Sequence, residues 1–165
     1  MTSKSQRGTL QGAQAVYSSV LGEALELLGV ISREFRPAAL ASGFGPESMI
    51  LIDLIAKNEF DIEIFSIDTG RLPEETHELA YNIHKRYGPL VRIVSPDPQR
   101  VAEWTLLHGQ NAFYESTDLR HQCCAVRKVE PLQQFLCGKK AWLTGLRRQH
   151  SPERAMLELR TWDAR

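Results

Sequence analysis

The stretch from Ala38 to Leu54 constrains the fold most, because its pattern predicts a strand, a tight loop and a helix in direct succession. Small apolar residues at 38–41 suit a short buried strand, and Gly43 and Gly45 permit a turn. Pro46 suits the first turn of a helix. Such a loop directs unpaired backbone N–H groups to one point, where the helix dipole also favours negative charge. The stretch therefore predicts an anion site for phosphate or sulfate.

The loop does not match the common phosphate-binding motifs. It lacks the Gly-Lys-Ser/Thr of a Walker A loop and the three-glycine spacing of dinucleotide-binding folds. Taken alone, it is equally typical of an ordinary strand-to-helix connection with two turn glycines. The rest of the sequence is needed to distinguish an anion-binding loop from an ordinary connection.

The composition is that of one globular domain covering residues 1–165, with 42% apolar and 24% charged residues. Twenty basic and twenty acidic side chains balance, so no net field would attract nucleic acid or an anionic membrane, and we expect neither as a partner. The sequence contains no run of 18 apolar residues and no apolar N-terminal signal segment. We therefore expect a cytoplasmic protein with reduced thiols that does not span a membrane.

Helical and strand-like segments alternate along the chain. The helical spacing of apolar residues over 9–28, followed by Gly29, predicts an N-terminal helix that packs on a sheet. The further expected helices are 47–57, 73–88, 98–108 and 126–136, and the further expected strands are 62–67, 90–94, 141–144 and, at an edge, 157–162. Residues 109–121 lose periodicity, which suits an irregular segment closing over a site. This alternation predicts an α/β fold over 38–163, with an open, twisted, mainly parallel sheet and helices on both faces.

Ligands of such sheets bind beyond the carboxyl ends of the strands. The predicted strand ends carry the loop 42–48, the turn 68–70, and Gly145 with Arg147 shortly after it. An anion-binding loop beside an arginine suits phosphate or sulfate. Each part also has an ordinary interpretation, since Asp-Thr-Gly is often only a turn and a surface arginine is often only solvated.

Two adjacent cysteines, Cys123 and Cys124, are followed closely by Arg127 and Lys128. Adjacent cysteines are hard to join in a disulfide, but both can bind different irons of one iron–sulfur cluster. Neighbouring basic residues would stabilise the thiolates. A [4Fe–4S] cluster normally needs four cysteines, and the only other one, Cys137, lies in a stretch typical of packing. The ligand set in this sequence is therefore incomplete.

Five sequence blocks, taken in order, resemble the assimilatory adenylyl-sulfate (phosphoadenylyl-sulfate) reductases. They are Ala-Ser-Gly-Phe-Gly-Pro-Glu-Ser-Met from 41, Ile-Phe-Ser-Ile-Asp-Thr-Gly-Arg-Leu-Pro-Glu-Glu-Thr from 64, Phe-Tyr-Glu-Ser from 113, Cys-Cys-Ala-Val-Arg-Lys-Val-Glu-Pro-Leu from 123 and Trp-Leu-Thr-Gly-Leu-Arg-Arg-Gln from 142. The resemblance spans about residues 38–163 and implies an adenine nucleotide alpha hydrolase-like fold of the PP-loop type. The adjacent cysteines favour the cluster-bearing branch of the family.

The resemblance implies a thioredoxin-dependent enzyme that reduces adenosine 5'-phosphosulfate to sulfite and AMP in sulfate assimilation. In that family a cysteine near the C-terminus attacks the sulfate sulfur, AMP leaves, and thioredoxin releases sulfite from the resulting S-sulfocysteine. Whether the substrate carries a 3'-phosphate stays open at this point. A homo-oligomer is compatible with the sequence, which does not fix the oligomeric state.

The same resemblance implies roles for individual residues. The residues that would hold the phosphosulfate are Ser42, Gly43, Phe44, Gly45, Glu47 and Ser48. The residues that would lie beside the nucleotide are Asp68, Thr69 and Gly70, and those that would complete the anion pocket are Gly145 and Arg147. Lys128 would link the substrate electrostatically to a [4Fe–4S] cluster whose ligands include Cys123 and Cys124.

The chain departs from the family pattern at two places. Gly43, Pro46 and Ser48 stand where the family usually has Ser, Ala and Asp, which removes one hydroxyl and one charge from the loop. The chain also stops at Arg165, before the family's Cys-x-x-Cys and the Glu-Cys-Gly segment with the nucleophile. We therefore expect the nucleotide-binding portion of a reductase, without its C-terminal catalytic segment, which alone does not turn over.

Two alternatives stay open from the sequence. One is a non-catalytic nucleotide- or partner-binding module derived from such a reductase, which the missing nucleophile favours. The other is an ATP-pyrophosphatase-type ligase or sulfurtransferase. That class usually carries Ser-Gly-Gly-x-Asp-Ser, which residues 43–48 fit poorly.

Overall fold

The sheet consists of parallel strands in the part of the chain that the structure covers. This computed structural model describes residues 4–163, with the side chains of residue 14, residues 16–149 and residues 151–163. The strands are β1 (Ala38–Ala41), β2 (Glu63–Ile67), β3 (Val91–Val94) and β4 (Ala141–Thr144). They are ordered β3-β2-β1-β4, and every pairing is parallel. The predicted parallel α/β sheet is confirmed.

Helices connect the strands, as parallel pairing requires. They are α1 (Lys4–Glu34), α2 (Pro46–Lys57), α3 (Glu74–Tyr87), α4 (Pro98–His108), α5 (Thr117–Cys124) and α6 (Glu130–Leu136), with a π-helical segment at Ala125–Val129 and 3₁₀ turns at Ala112–Tyr114, Arg148–His150 and Pro152–Arg154. No helix within residues 4–163 combines the length and the apolar character needed to cross a membrane.

The two faces of the sheet are covered by different helices. On one face, side chains of β1 and β2 join a cluster with α1, α2 and α3, whose buried members are Leu28, Ala38, Leu40, Phe44, Ile52, Ile55, Ile62, Ile64 and Ile83. On the other face, the ring of Phe65 in β2 stacks on Phe135 of α6 at a centroid distance of 4.0 Å. The successive residues of a strand point to opposite faces, which explains why neighbouring apolar positions serve two layers. The predicted helices on both faces are confirmed.

Helix α1 is longer than its sequence pattern predicted. It ends at Glu34, and Gly29 lies inside it, where an added Cβ atom would lie 3.7 Å from the ring of Phe60. Gly29 therefore does not end the helix. Among the described side chains of α1, those in the core cluster, Leu28 and Ile31, belong to its C-terminal part. The side chains left exposed are Val16, Tyr17 and Val20, while Leu10 and Ala13 lie outside the described side chains.

The expected strand over 157–162 does not form, and that prediction is wrong. These residues are irregular, with a bend at residues 159–160. Leu159 is 80% exposed and Trp162 is 89% exposed, so their apolar side chains have no buried layer to face. Asp163, the residue after this segment, accepts from the indole Nε1 of Trp142 in β4 at 3.1 Å.

The helix around the cysteines begins earlier than predicted. Residues 117–121, expected to be irregular, belong to α5, and the Ser116 hydroxyl caps this helix by accepting from the Leu119 N–H at 3.1 Å. The helix then continues through the π-helical segment into α6. Its first turns are mostly polar, so hydrophobic periodicity could not reveal them. Both cysteines therefore lie in a helix and not in the loop before one.

Candidate functional site

The β1–α2 loop is held by its own side chains. The Ser42 hydroxyl is buried and accepts from the Phe44 N–H at 3.0 Å. Phe44 has a φ of 59°, in the left-handed region, and its ring is buried in the core. The ring therefore anchors the loop, and it stabilises a backbone conformation that non-glycine residues rarely adopt. Gly43, Gly45 and the start of α2 are thereby fixed in position.

The N-terminus of α2 has no side-chain cap. Gly45 occupies the N-cap position with extended backbone, and Pro46 follows as the first helical residue. Without a capping side chain, the backbone N–H groups of the first turn lack a partner from a cap and present partial positive charge. This local geometry suits an anion, as the sequence predicted.

Gly145, the first residue after β4, closes on this helix end. A Cβ atom at Gly145 would lie 2.8 Å from the Ser48 hydroxyl, 3.0 Å from the Ser48 backbone nitrogen and 3.1 Å from Cβ of Glu47. Strands β1 and β4 are neighbours in the sheet, so the loop after β1 and Gly145 after β4 lie side by side. Only glycine fits here without a shift. We call this arrangement of residues 42–48 with Gly145 the cradle.

Arg147 and Glu47 form an ion pair at the cradle, with Nε 2.7 Å from Oε1. The Glu47 side chain is 23% exposed and the Arg147 side chain is 54% exposed. A carboxylate in the first turn suits the helix dipole but would repel an anionic ligand. Arg147 neutralises that charge and brings a cationic group to the helix end. Both predicted residues therefore lie at the cradle.

The predicted Asp68-Thr69-Gly70 segment forms a tight turn at the end of β2. The Asp68 carboxylate accepts from the Gly70 N–H at 2.8 Å, and Gly70 has a φ of 69°. The Asp68 N–H donates to the Val94 carbonyl at 2.9 Å, which continues the ladder to β3. Arg127 donates to the Thr69 carbonyl at 2.9 Å. The turn is thus built by its own carboxylate and by an arginine from the cysteine helix.

A small cavity of about 60 Å³ lies beside this turn and is bordered by the Phe44 side chain of the cradle. It is lined by Phe44, Ser66, Asp68, Leu72, Thr76, His77, Ala80 and Ile93. Sequence reasoning missed the polar members Ser66, Thr76 and His77. Ser66 offered a signal, because it is a buried polar residue within an apolar strand. Thr76 and His77 offered none, since they lie on an ordinary amphipathic helix.

The cysteine pair ends α5. Cys123 is 8% exposed, Cys124 is exposed, and neither forms a disulfide. Cys123 packs in a small buried cluster with Trp104, Ala112 and Val126. The buried indole Nε1 of Trp104 has no hydrogen-bond partner within the described residues. We call Cys123 and Cys124 the thiol pair.

The wider surroundings of the thiol pair do not supply a full ligand set. In the part of the chain that the structure describes, no three potential ligands come close enough to hold a metal ion. Cys137, which the sequence pattern assigned to packing, is exposed, so that prediction is wrong. Cys137 follows the last turn of α6, where its backbone N–H is bonded to the helix and its side chain is left at the surface.

Arg127 and Arg71 connect the thiol-bearing helix and its preceding segment to the end of β2. Arg127 contacts the turn at Thr69, while the exposed Lys128 beside it has no such contact in the described residues. Arg71 donates to the side chain of Asn111 at 3.2 Å and to the carbonyl of Gln110. The sequence singled out Lys128, but the structure brings Arg127 to the strand end. The segment 109–116 is therefore tied to the predicted site.

Comparison with known proteins identifies the family of this chain. The sequence profile of the phosphoadenosine phosphosulfate reductase domain matches residues 37–165. An adenosine 5'-phosphosulfate reductase of Allochromatium vinosum is 42% identical over 141 residues, covering 86% of this chain and 55% of the relative. A reductase of the same name from Burkholderia cepacia is 40% identical, covering 79% of this chain and 52% of the relative. The chain thus spans about half the length of these curated relatives.

A solved structure supports the fold. The phosphoadenylyl-sulfate (PAPS) reductase from Candida auris, in complex with phosphate, superposes with a TM-score of 0.63 at 25% sequence identity. The likeness covers 74% of this chain and 60% of that one. The parallel sheet described above is therefore of the adenine nucleotide alpha hydrolase-like type. From the sequence profile and the fold together, the chain belongs to the phosphoadenosine phosphosulfate reductase domain family.

Proposed function

We propose that this chain is the nucleotide- and phosphosulfate-binding portion of a thioredoxin-dependent reductase that converts adenosine 5'-phosphosulfate to sulfite and AMP in the cytoplasm. The observation that carries the proposal is the contact of Gly145 with the uncapped first turn of α2. A residue without a side chain at this point lets the end of β4 lie directly against the first turn of α2, where Arg147 pairs with Glu47. The names of the relatives indicate which anion to test.

The cradle would bind the phosphosulfate through backbone N–H groups at the start of α2, with the Ser48 hydroxyl beside them. Arg147 would add a charge-assisted hydrogen bond once an anion competes with Glu47 for its guanidinium. The Candida auris relative, whose structure contains phosphate, gives independent support for an anion in this fold. The residue set is the one predicted from sequence: Ser42, Gly43, Phe44, Gly45, Glu47, Ser48, Gly145 and Arg147.

The nucleotide would lie toward the end of β2. The cavity that extends from Phe44 to Asp68 supports this placement, because it borders both the cradle and the Asp68–Gly70 turn. In this arrangement Asp68, Thr69 and Gly70 would contact the nucleotide mainly through backbone groups, because the Asp68 carboxylate already holds the turn. The turn would therefore contribute more to the shape of the pocket than to its charge.

The thiol pair would supply two ligands of a [4Fe–4S] cluster, with further ligands from outside the described residues. Its donors suit that group, since one thiol is buried beside an unpartnered indole N–H that could donate to a cluster sulfur. Arg127 and Lys128 lie within the next turn and would stabilise thiolates. When bound, the cluster would contribute the charge of an iron–sulfur centre near the substrate. Lys128 would then connect that charge to the phosphosulfate.

The reduction also needs a nucleophilic cysteine, which the family places near its C-terminus and which is not in residues 4–163. Its thiolate would attack the sulfur, the bond to the phosphate oxygen would break, and AMP would leave. The thioredoxin dithiol would then be oxidised to a disulfide, supplying the two electrons that release sulfite. This chain's own residues would bind and orient the substrate for that attack.

Calorimetric titration of the chain with adenosine 5'-phosphosulfate, its 3'-phosphorylated form and ATP tests the proposal. We expect one of the two phosphosulfates to bind most tightly, and the preferred form identifies the substrate. Preference for ATP would contradict the reductase assignment and favour a pyrophosphatase-type ligase. Absence of binding by a folded chain would contradict a complete substrate pocket in these residues.

A further inference from the structure

The buried thiol of Cys123 lies in a cluster to which separate segments of the chain contribute. Helix α4 contributes Trp104, and the segment between α4 and α5 contributes Ala112 and Phe113. Ala112 is 2% exposed, and the 3₁₀ turn to which it belongs packs on α5. We call residues 110–113 the strap. The strap therefore forms one wall of the environment that keeps the Cys123 thiol away from solvent.

The strap has little regular structure of its own. It lies between Gly109, which ends α4 with a φ of 88°, and Ser116, which caps α5. Its backbone forms a single 3₁₀ turn, in which the Tyr114 N–H donates to the Asn111 carbonyl at 3.0 Å. So short a turn has poorer hydrogen-bond geometry than an α-helix. The position of the strap therefore depends on contacts from another element.

Arg71 supplies such contacts. Within the described residues, the hydrogen bonds that join the strap to another element come from its guanidinium, which donates to the Asn111 side-chain oxygen at 3.2 Å and to the Gln110 carbonyl. The same guanidinium lies 5.2 Å from the centroid of the Phe113 ring, in a cation–π contact. One side chain thus contacts both ends of the strap.

Arg71 belongs to the turn at the end of β2. It directly follows Gly70, and its backbone N–H donates to the Thr69 hydroxyl at 3.2 Å. The Thr69 carbonyl in turn accepts from Arg127, which lies after the thiol pair. The end of β2 is therefore bonded to the chain both before and after the two cysteines.

We infer that Arg71 is a positioning residue, which holds the strap over Cys123 and thereby controls how readily iron or a small thiol-directed reagent reaches that thiol. Cys123 is 8% exposed, so part of its cover has to move before anything binds the sulfur. The contacts of Arg71 lie at the surface, where water replaces them easily, and the strap opens without loss of the sheet. Iron uptake by the thiol pair rests on the proposed function, whereas access of a reagent to Cys123 does not.

Alkylation kinetics in a chain with a single thiol test the inference without any ligand. The sequence contains three cysteines, so the background Cys124→Ser/Cys137→Ser leaves Cys123 to react with iodoacetamide at constant pH. Arg71→Gln should speed alkylation of the folded chain by about tenfold, because it removes the guanidinium contacts that hold the strap closed. Arg71→Lys keeps the charge without the planar guanidinium, so its rate should lie between the two. Asn111→Ala removes one acceptor and should speed alkylation by about twofold to threefold.

Arg92→Gln is the matched control. Arg92 is also an exposed arginine that bonds to an oxygen acceptor, at 3.3 Å, and lies over an aromatic ring, but it belongs to β3 and does not contact the strap. Its substitution should leave the alkylation rate unchanged. Amide hydrogen exchange gives a second readout, since Arg71→Gln should speed exchange at Tyr114 and Glu115 and leave β1 and β2 as they are.

An alkylation rate that Arg71→Gln leaves unchanged would overturn the inference. A faster rate that is matched by Arg92→Gln would overturn it as well. So would faster amide exchange throughout β1 and β2 in Arg71→Gln, because the thiol would then react through general unfolding and not through the strap.

Discussion

The cradle and the thiol pair were both predicted from the sequence as ligand sites, and they are built in opposite ways. The cradle consists mostly of backbone groups, fixed by the buried Ser42 and Phe44 and closed by Gly145. The thiol pair consists of two side chains on one helix, and no third metal ligand accompanies them in residues 4–163.

The difference teaches which parts of such a site the described strands and helices can form by themselves. A backbone site is organised by the fold around it, so it needs only the adjoining strands. A metal site needs donors from several segments, so two residues cannot define it. We therefore expect the cradle to bind its ligand in the chain as it stands and the thiol pair to depend on additional donors. The following experiments test that contrast, and those on ligand and metal binding come before those on stability.

Gly145→Ala should weaken phosphosulfate binding by about tenfold to a hundredfold, because the new methyl group would overlap the Ser48 hydroxyl and backbone nitrogen. Calorimetric titration measures the loss. Gly22→Ala on α1 is the matched control outside the cradle, since nothing lies within 4 Å of the position that its new methyl group would take. Equal losses in the two variants would contradict a ligand pocket closed by Gly145.

Cys123→Ser should lower the iron retained after anaerobic reconstitution by about tenfold, as expected for removal of a thiolate ligand. Iron and acid-labile sulfide analysis measures the effect in protein that includes the additional donors. Cys137→Ser is the control, because this thiol is exposed and lies after α6. Similar losses from both substitutions would show that the thiol pair has no special role.

Lys128→Ala should weaken phosphosulfate binding by about 1 to 3 kcal/mol if Lys128 acts on the bound anion. The side chain is exposed and makes no contact with the Asp68–Gly70 turn, so stability should change little. Titration calorimetry checks the affinity and thermal unfolding checks the stability. Unchanged affinity would remove Lys128 from the substrate site.

Arg127→Gln tests the link between the two regions. It removes the hydrogen bond to the Thr69 carbonyl, and we expect a loss of about 1 to 2 kcal/mol in local stability of the turn. Faster amide hydrogen exchange at residues 68–71 would report it. The rate of amide hydrogen exchange in the cradle should be the same as in the unsubstituted chain, because Ser42 and Phe44 hold that loop without a contribution from Arg127. Equal effects in both places would mean that they form one cooperative unit.

The smallest effect concerns Glu63, at the start of β2 and far along the strand from the cradle. Hydrogen bonds from Lys139 and Arg92 lower the pKa of the Glu63 carboxyl below its usual 4.5. A carboxyl group whose pKa is lower in the folded state than in the unfolded state stabilises the fold at pH values above the pKa of the unfolded state. This contribution to the free energy of unfolding disappears as the pH falls through the pKa of the folded state. Glu63→Gln should therefore cost up to about 1 kcal/mol at neutral pH and nothing in acid.

Denaturant unfolding at neutral and acidic pH measures the effect of Glu63→Gln. Glu103→Gln on α4 serves as the control, since that carboxylate pairs with Arg100 at 3.7 Å in an exposed position. A pH-independent loss in Glu63→Gln would show that packing, and not the ion pair, causes it. Binding at the cradle should be unaffected in both variants.

The sequence predicted the sheet well because its strands are short, apolar and separated by clear turn signals. Strand β4 begins and ends where its apolar pattern does, and α2 begins at Pro46 as expected. The start of α5 was missed because a mostly polar helix has no hydrophobic period, and its cap at Ser116 is a weak local signal. A strand was predicted over 157–162 from its apolar residues, but no other element packs over the exposed side chains of Leu159 and Trp162.

At the site, the sequence located the backbone elements more reliably than the side-chain partners. The position of Gly145 after a strand implied its place at the sheet edge. Its contact with Ser48 could not be derived, because it depends on how closely two neighbouring strand ends approach. The Arg127 contact with Thr69 likewise joins residues 58 positions apart, and no local pattern encodes it.

The π-helical segment at Ala125–Val129 has a consequence for insertions and deletions in this helix. A π-helical turn contains one residue more than an α-helical turn, so it shifts the rotational phase of everything that follows. Removing one residue between the thiol pair and Arg127 would leave a continuous α-helix, yet it would change the rotational position of Arg127 relative to the thiol pair. The helix therefore tolerates substitutions along this segment more readily than any change in its length.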